Sequence, residues 1–179
     1  MGRIISNFFM SLDGVVEAPD QWHMPYFNDE MGAAIGEGMA TNKGFLMGRV
    51  LYEEWADYWP KSDDELATLF NNHPKYVVSD SLESAGWNNT TIISGDVPEQ
   101  LRALKSQTDG DLVISGSATL VRSLLRDGLV DELRVLLHPI VVGHGARLFE
   151  DRTTHGLKLV KHEAFSTGVL NLAYAPTAT

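Results

Sequence analysis

The 179-residue chain has no cysteine, which removes disulfides, thiolate nucleophiles and thiolate zinc sites together. That absence fits a reducing, cytoplasmic setting. Positive charge is scarce: fourteen Lys and Arg stand against twenty-four Asp and Glu, a net charge of -10. No run of basic residues offsets this, so nucleic acid and anionic membrane are not expected partners. No apolar run reaches spanning length. The first sixteen residues, MGRIISNFFMSLDGVV, are interrupted by Ser6, Asn7 and Ser11 and read as the first strand of a soluble protein rather than a signal peptide. There is no G-x-G-x-x-G spacing, internal repeat, low-complexity tract or interdomain linker.

What is present is enough apolar sequence, 44% of residues, to fill one sizeable core, and one domain over 1–179 is expected. Apolar runs of strand length occur at 3–10, 45–47 after a turn at Asn42-Lys43-Gly44, 75–79, 90–94 and 111–115. Their weak alternation suits strands covered on both faces. Helical patterns separate them. Asn28 caps a helix through Thr41 with Met31, Ile35 and Met39 on one stripe, and Gly32, Gly36 and Gly38 are expected to let it approach the sheet closely. Further helices are expected at 50–58, 63–71, after Pro98 and at 118–126. After Gly128 three strands follow, at 130–138, 157–166 and 169–175, the last two joined at Thr167-Gly168. This order predicts an α/β fold: a mixed, mostly parallel central sheet with an antiparallel C-terminal edge and helices on both faces. Irregular stretches at 17–26 and 140–156 are candidates for loops bordering a site.

The stretch FLMGRVLYEEW (45–55) places Gly48 and Arg49 where a buried strand passes into a helix. Free amides and the positive end of the helix dipole meet there, glycine lets an anion touch the backbone, and arginine adds a charge-assisted contact. LVISGSATLVRSLL (112–125) repeats the arrangement. Two such junctions on neighbouring strands are consistent with a pyrophosphate held between two helix N-termini. The alternative is that Gly48 and Gly116 are turn residues only.

SLDGVV (11–16), LMGRVLYEEW (46–55), KYVVSDSL (75–82), ISGSATLVRSLL (114–125) and GLVDELRVLLHPIVVGHGARLF (128–149) occur in this order. Over about residues 3–175 the chain resembles the dihydrofolate reductase-like superfamily, and within it the reductase domain of the riboflavin-biosynthesis bifunctional deaminase-reductase. The resemblance implies the three-layer fold of that superfamily and an NAD(P)H-dependent reductase, with NADPH as usual cofactor and NADH possible. The activity it implies resembles 5-amino-6-(5-phosphoribosylamino)uracil reductase. Weak folate reduction, and a dinucleotide-binding module without turnover, are the alternatives.

By the same resemblance, Gly48 and Arg49 lie along the adenosine side and its phosphates. Ser79 and Ser81 lie around the adenine ribose, and Gly116, Ser117, Ala118 and Thr119 at the pyrophosphate. The nicotinamide rests beside residues 11–15. Asp13 is the candidate catalytic carboxylate, able to supply or orient a proton; the competing reading is an Asp-Gly turn that bonds local backbone. Asp29 and Glu30 are read as first-turn helix carboxylates. Ser11, Trp22 and Ser115 are candidate substrate contacts, and Trp22 with Tyr26 either covers a planar ligand or pins its loop to the core.

The chain also departs from the family pattern. Ser115 replaces a glutamate usual before the glycine, and Asp80 follows Ser79 where a basic residue would suit a 2'-phosphate, so preference for NADPH rests on Arg49. The companion deaminase needs cysteines that this chain lacks. His138 and His144 have no third ligand, and no metal is expected. Glu53 and Glu54 read as a solvated face, and Asp131-Glu132 as structural. A small-molecule substrate and a homodimer, as in relatives, complete the expectations.

Overall fold

Alternation along β2 shows how the layers arise. Its residues point in turn to opposite faces, and all three central ones are fully buried: Leu46 packs toward one group of helices, Phe45 and Met47 toward another. A computed structural model describes residues 1–150 and 153–177, and in it the strands form one eight-stranded sheet in the order β4-β3-β2-β5-β1-β6-β8-β7. These are β1 (Arg3–Ser11), β2 (Asn42–Gly48), β3 (Lys75–Val78), β4 (Thr90–Ile93), β5 (Asp111–Ser115), β6 (Glu132–His138), β7 (Leu157–Ala164) and β8 (Leu170–Pro176). The first six run parallel, and β8 and β7 close the sheet as an antiparallel edge. The expected mixed sheet is the observed one.

The helices are α1 (Asp29–Ala40), α2 (Arg49–Tyr58), α3 (Ala67–Asn72), α4 (Val97–Gln107) and α5 (Ala118–Arg126). On one face Leu101 of α4 and Leu120, Val121 and Leu124 of α5 pack on Ile4, Leu112, Ile114 and Leu133. On the other, Tyr52 and Trp55 of α2 and Phe70 of α3 cover Phe45, Met47 and Val77, while Met31 of α1 meets Phe165 and Val169. Asn28 caps α1 by accepting from the Met31 amide at 3.0 Å, and Asp96 caps α4 through Glu99.

Three local expectations change. The helix expected from residue 63 begins at Ala67, because the Asp64 side chain accepts from the Leu66 amide at 2.8 Å and makes a turn of that segment. Asn42 and Gly44 belong to β2, joined through an irregularity in its register against β5. Of the three α1 glycines, Gly38 alone is buried; Gly36 has nothing within 4 Å of where a side chain would begin. The 17–26 stretch holds two short 3-10 turns, Pro19–Gln21 and Met24–Tyr26. Residues 151 and 152 of the 140–156 loop, and 178 and 179 at the end of the chain, lie outside the described residues. Among the described residues no helix is long and apolar enough to cross a membrane.

The edge where the parallel strands begin is closed by charge. Arg3 donates to both Asp111 oxygens at 2.9 and 3.0 Å, and the Thr41 hydroxyl adds a third bond. Asp131 accepts from the Ile4 amide and from Lys105. Lys75, fully buried, donates to the carbonyls of Phe70, Asn71 and His73 at 2.7–3.0 Å and lies over the Trp87 ring. It thereby caps the C-terminal end of α3, where unpaired carbonyls and the negative end of the dipole favour a cation.

Candidate functional site

At the opposite edge the strands end in the two glycine corners. Because β2 and β5 are adjacent and parallel, the corners lie side by side, and the Gly48 amide donates to Ser117 Oγ at 3.0 Å. Gly116 has φ +92°, and Ser117, with φ 61°, is a left-handed non-glycine residue directly before α5. Such backbone costs on the order of 1–3 kcal/mol and concentrates at functional sites. The first-turn amides of α2 and α5, Val50 and Thr119 among them, have no intrahelical acceptor, as at any helix start. A Cβ at Gly116 would come to 3.4 Å from Leu51, and one at Gly48 to 3.2 Å from Ser117 Oγ. Two helix N-termini side by side, one entered through a glycine in left-handed backbone, are what a diphosphate needs, so these residues fit a dinucleotide.

Beside this ledge, on the face carrying α1, α2 and α3, lies a cavity of about 670 Å³. Its walls are apolar, with Ile35, Met39, Leu51, Trp55 and Leu69 prominent; its floor is not. Pairing of β5 with β1 sets Ser115 beside Asn7, and pairing of β1 with β6 sets Asn7 beside Arg134. Paired residues share a face, so the three form one polar row across three strands. Neither the Ser115 hydroxyl nor the Asn7 amide has a hydrogen-bond partner among the described residues. Arg134 engages Nε with Glu132 at 2.5 Å, leaving its terminal nitrogens open. A side chain at Gly38 would begin 3.4 Å from Arg134 Nη1 and 3.8 Å from Asn7 Nδ2, so α1 lies directly over the row.

The sequence-predicted residues divide between these features. Gly48, Gly116, Ser117, Ala118 and Thr119 form the ledge, and Ser115, Gly116 and Ser117 also line the cavity. Arg49 is at the ledge but donates to Glu53 one turn on, at 2.8–2.9 Å; Glu53 is thus a partner rather than a bare solvated charge. Ser79 and Ser81 lie past β3, two strands from β5, where Ser79 Oγ accepts from the amides of Ser81 and Leu82. Asp80 accepts from the Gly95 amide.

Asp13 is engaged in the manner of the turn reading. It accepts from Ser11 Oγ at 2.6 Å and from the amides of Val142 and Gly143 at 3.1 and 2.9 Å, pinning the 140–147 segment. The Ser11 hydroxyl foremost, with the two amides, holds its carboxyl well below the usual carboxylate range, so it stays ionised. Ser11 itself is fully buried, its hydroxyl committed to Asp13 and to the Val15 amide, which removes it from substrate contact. Trp22 is also buried, donates to the Glu17 carbonyl at 3.1 Å and meets the His138 ring edge-on. It pins the 17–26 loop instead of covering a ligand. Burial pushes the His138 and His23 imidazoles down, toward the neutral form. Among the described residues no cluster of three His, Asp or Glu could hold a metal ion. Glu30 accepts from Ser166 and Asn28 and so ties α1 to the β7–β8 turn.

The model of the RibD C-terminal domain matches residues 3–171. The chain belongs to the RibD C-terminal domain family. A relative in this family's company is the uncharacterised protein YyaP of Bacillus subtilis, 31% identical over 181 residues, 96% of this chain and 94% of YyaP. Among solved structures, a protein provisionally assigned to riboflavin biosynthesis from Shewanella sp. PV-4 superposes with TM-score 0.77 at 20% identity, covering 98% of this chain and 99% of that one. Dihydrofolate reductase from Enterococcus faecalis, complexed with NADP(H), gives 0.66 at 14%, covering 98% and 97%. The Thermotoga maritima diaminohydroxyphosphoribosylaminopyrimidine deaminase/5-amino-6-(5-phosphoribosylamino)uracil reductase gives 0.69 at 15%, covering 98% of this chain and 57% of that chain. The RibD C-terminal domain and dihydrofolate reductase thus share this chain's fold.

Within this RibD-type domain, four residues escape sequence reasoning. Asn7 and Arg134 sit in apolar runs and become a site only through strand pairing. Arg122 donates to the carbonyls of Arg147 and Leu148 and to Thr119 Oγ1, and Arg147 donates to the Asp13 carbonyl. Together these two arginines place positive charge between the α5 corner and the Asp13 loop. The pattern LVRSLL marks Arg122 as surface, and nothing local distinguishes Arg147.

Proposed function

We propose that the protein is a reductase that uses a reduced nicotinamide dinucleotide, NADPH or NADH, to reduce a polar double bond, carbon–nitrogen or related, in a small heterocyclic substrate. The observation that carries this reading is that ledge and cavity share Gly116 and Ser117, with Ser115 directly before them in the cavity floor. A dinucleotide gripped at the ledge is continuous with a space for its partner. When bound, the cofactor supplies the hydride. The chain's own part is positional: the first-turn amides of α2 and α5 hold the diphosphate, the apolar walls exclude water, and the polar row orients the acceptor. Asp13 acts as a positioning residue through the 140–147 segment. Membership of the RibD C-terminal domain family and the NADP(H)-bound dihydrofolate reductase of like fold support the reading.

The test is titration of the purified protein with NADPH and NADH, read by tryptophan emission. Saturable binding is expected, weakened about tenfold in Gly116→Ala, where left-handed backbone opposes the methyl group. No binding up to millimolar cofactor overturns the proposal. A second reading, a dinucleotide-binding module without turnover, is favoured by the engagement of Asp13. Tight binding with no cofactor oxidation by any acceptor would select it.

A further inference from the structure

The polar row indicates what the cavity takes. Resting on the reductase reading above, we infer that its occupant is a flat, uncharged ring bearing hydrogen-bonding edges and no phosphate, and that Asn7 and Arg134 determine this specificity. Three observations converge on it. The open groups stand in a line, with donors only at Arg134 and both donors and acceptors at Asn7 and Ser115, which suits the edge of a ring carrying a carbonyl beside an amide or imino nitrogen. The walls facing that line are aliphatic and aromatic, which suits the ring's faces.

The third observation is charge. Among the described lining residues Arg134 is the only cation, its Nε already held by Glu132, whereas Asp20 and Glu54 both contribute carboxylates. A phosphate ester brings up to two negative charges and three acceptor oxygens that demand several cationic or amide donors. Here it would meet a lining of net negative charge in a chain of net charge -10. The volume would admit a phosphoribosyl group; the charge opposes it. This separates the chain from the Thermotoga maritima reductase, whose name specifies a phosphoribosylamino substrate.

The experiment is a fluorescence titration, with and without saturating NADPH, using pteridine-2,4-dione as a flat phosphate-free ring. In parallel, 5-amino-6-(5-phosphoribosylamino)uracil is compared with its dephosphorylated form. The ring is expected to bind, and the dephosphorylated pyrimidine to bind about tenfold more tightly than the phosphate ester. Asn7→Leu and Arg134→Met should each weaken ring binding about tenfold, with NADPH affinity within about twofold of the parent. Asn7→Ser is the companion variant if the leucine disturbs folding. The inference is overturned if the phosphate ester binds as tightly as its dephosphorylated form, if the ring fails to bind a protein that binds NADPH, or if well-folded variants keep full affinity. Row-dependent ring binding without any NADPH binding would leave the cavity assignment standing and remove the reductase reading instead.

Discussion

The two edges of the parallel sheet are built from similar residue types and treat them in opposite ways. Where the strands begin, Arg3, Lys75, Lys105, Asp111 and Asp131 all find partners within the chain. Where they end, two helices begin with first-turn amides that have no intrahelical acceptor, and the nearby floor holds the open side chains of Asn7 and Ser115. The charged groups of the first edge are largely buried and paired, whereas Asn7 and Ser115 at the second are only part-buried and have no partner among the described residues. One edge stabilises the fold; the other is the one that the proposed reading assigns to cofactor and substrate.

The largest effect should follow from breaking the closed edge. Lys75→Met keeps the aliphatic stem but strips donors from three carbonyls at the end of α3, and is expected to cost about 3 kcal/mol. For a chain of this length that lowers the melting temperature by about 10 °C. A fall of less than 2 °C in thermal denaturation followed by circular dichroism would mean that water satisfies those carbonyls. Burial also pushes the Lys75 ammonium down to about 8 from its ordinary 10.5. The unfolded chain therefore holds this proton over a range where the folded chain has released it. Stability of the parent relative to Lys75→Met should accordingly rise with pH between about 8 and 10.5. Melting curves across that range check the sign.

A smaller effect should separate the two readings of Asp13. Asp13→Asn weakens the anchoring of the 140–147 segment, so faster hydrogen exchange is expected at the Val142 and Gly143 amides. Its folded pKa lies below the unfolded one, so its contribution to stability is full above about pH 4 and is lost as pH falls through the depressed value. The difference between parent and variant should shrink in acid. If instead exchange is unchanged while turnover disappears, the carboxylate acts on the reacting atoms and not through the loop.

The smallest effect sharpens the open edge. Arg49 shares its guanidinium with Glu53 on one exposed helix face, and such a pair is weak. Glu53→Gln frees the arginine and should raise affinity for NADPH over NADH about threefold, an effect that salt should diminish. Equal affinities in parent and variant would remove Arg49 from 2'-phosphate recognition.

How far the sequence could be read depended on the range of the interactions involved. Apolar runs and glycine punctuation are local signals, so the eight strands, the helix beginning with the Asn28 cap and the two corners are legible from a few consecutive residues. The adjacency of those corners is a topological fact that the RibD-type motif order anticipates. The row of Ser115, Asn7 and Arg134 is different. Asn7 lies more than a hundred residues from the other two, and the three meet only through the register of β5, β1 and β6. Trp22 misleads for a related reason, since an indole in a loop looks available until tertiary packing supplies the His138 ring, and Ser11 misleads locally, its hydroxyl taken by the nearby Asp13 and Val15. Asp64 misleads locally, since one side-chain bond converts an apparent helix start into a turn.

The bond from the Gly48 amide to Ser117 Oγ joins the two corners before any guest arrives. A hydroxyl can go on accepting from that amide while it swings its own hydrogen outward toward an incoming anion. The two strand tips would then meet a visitor as a single stiff shelf, already set in shape. A disturbance at the tip of β2 would reach the start of α5 through one hydrogen atom, without the backbone having to travel.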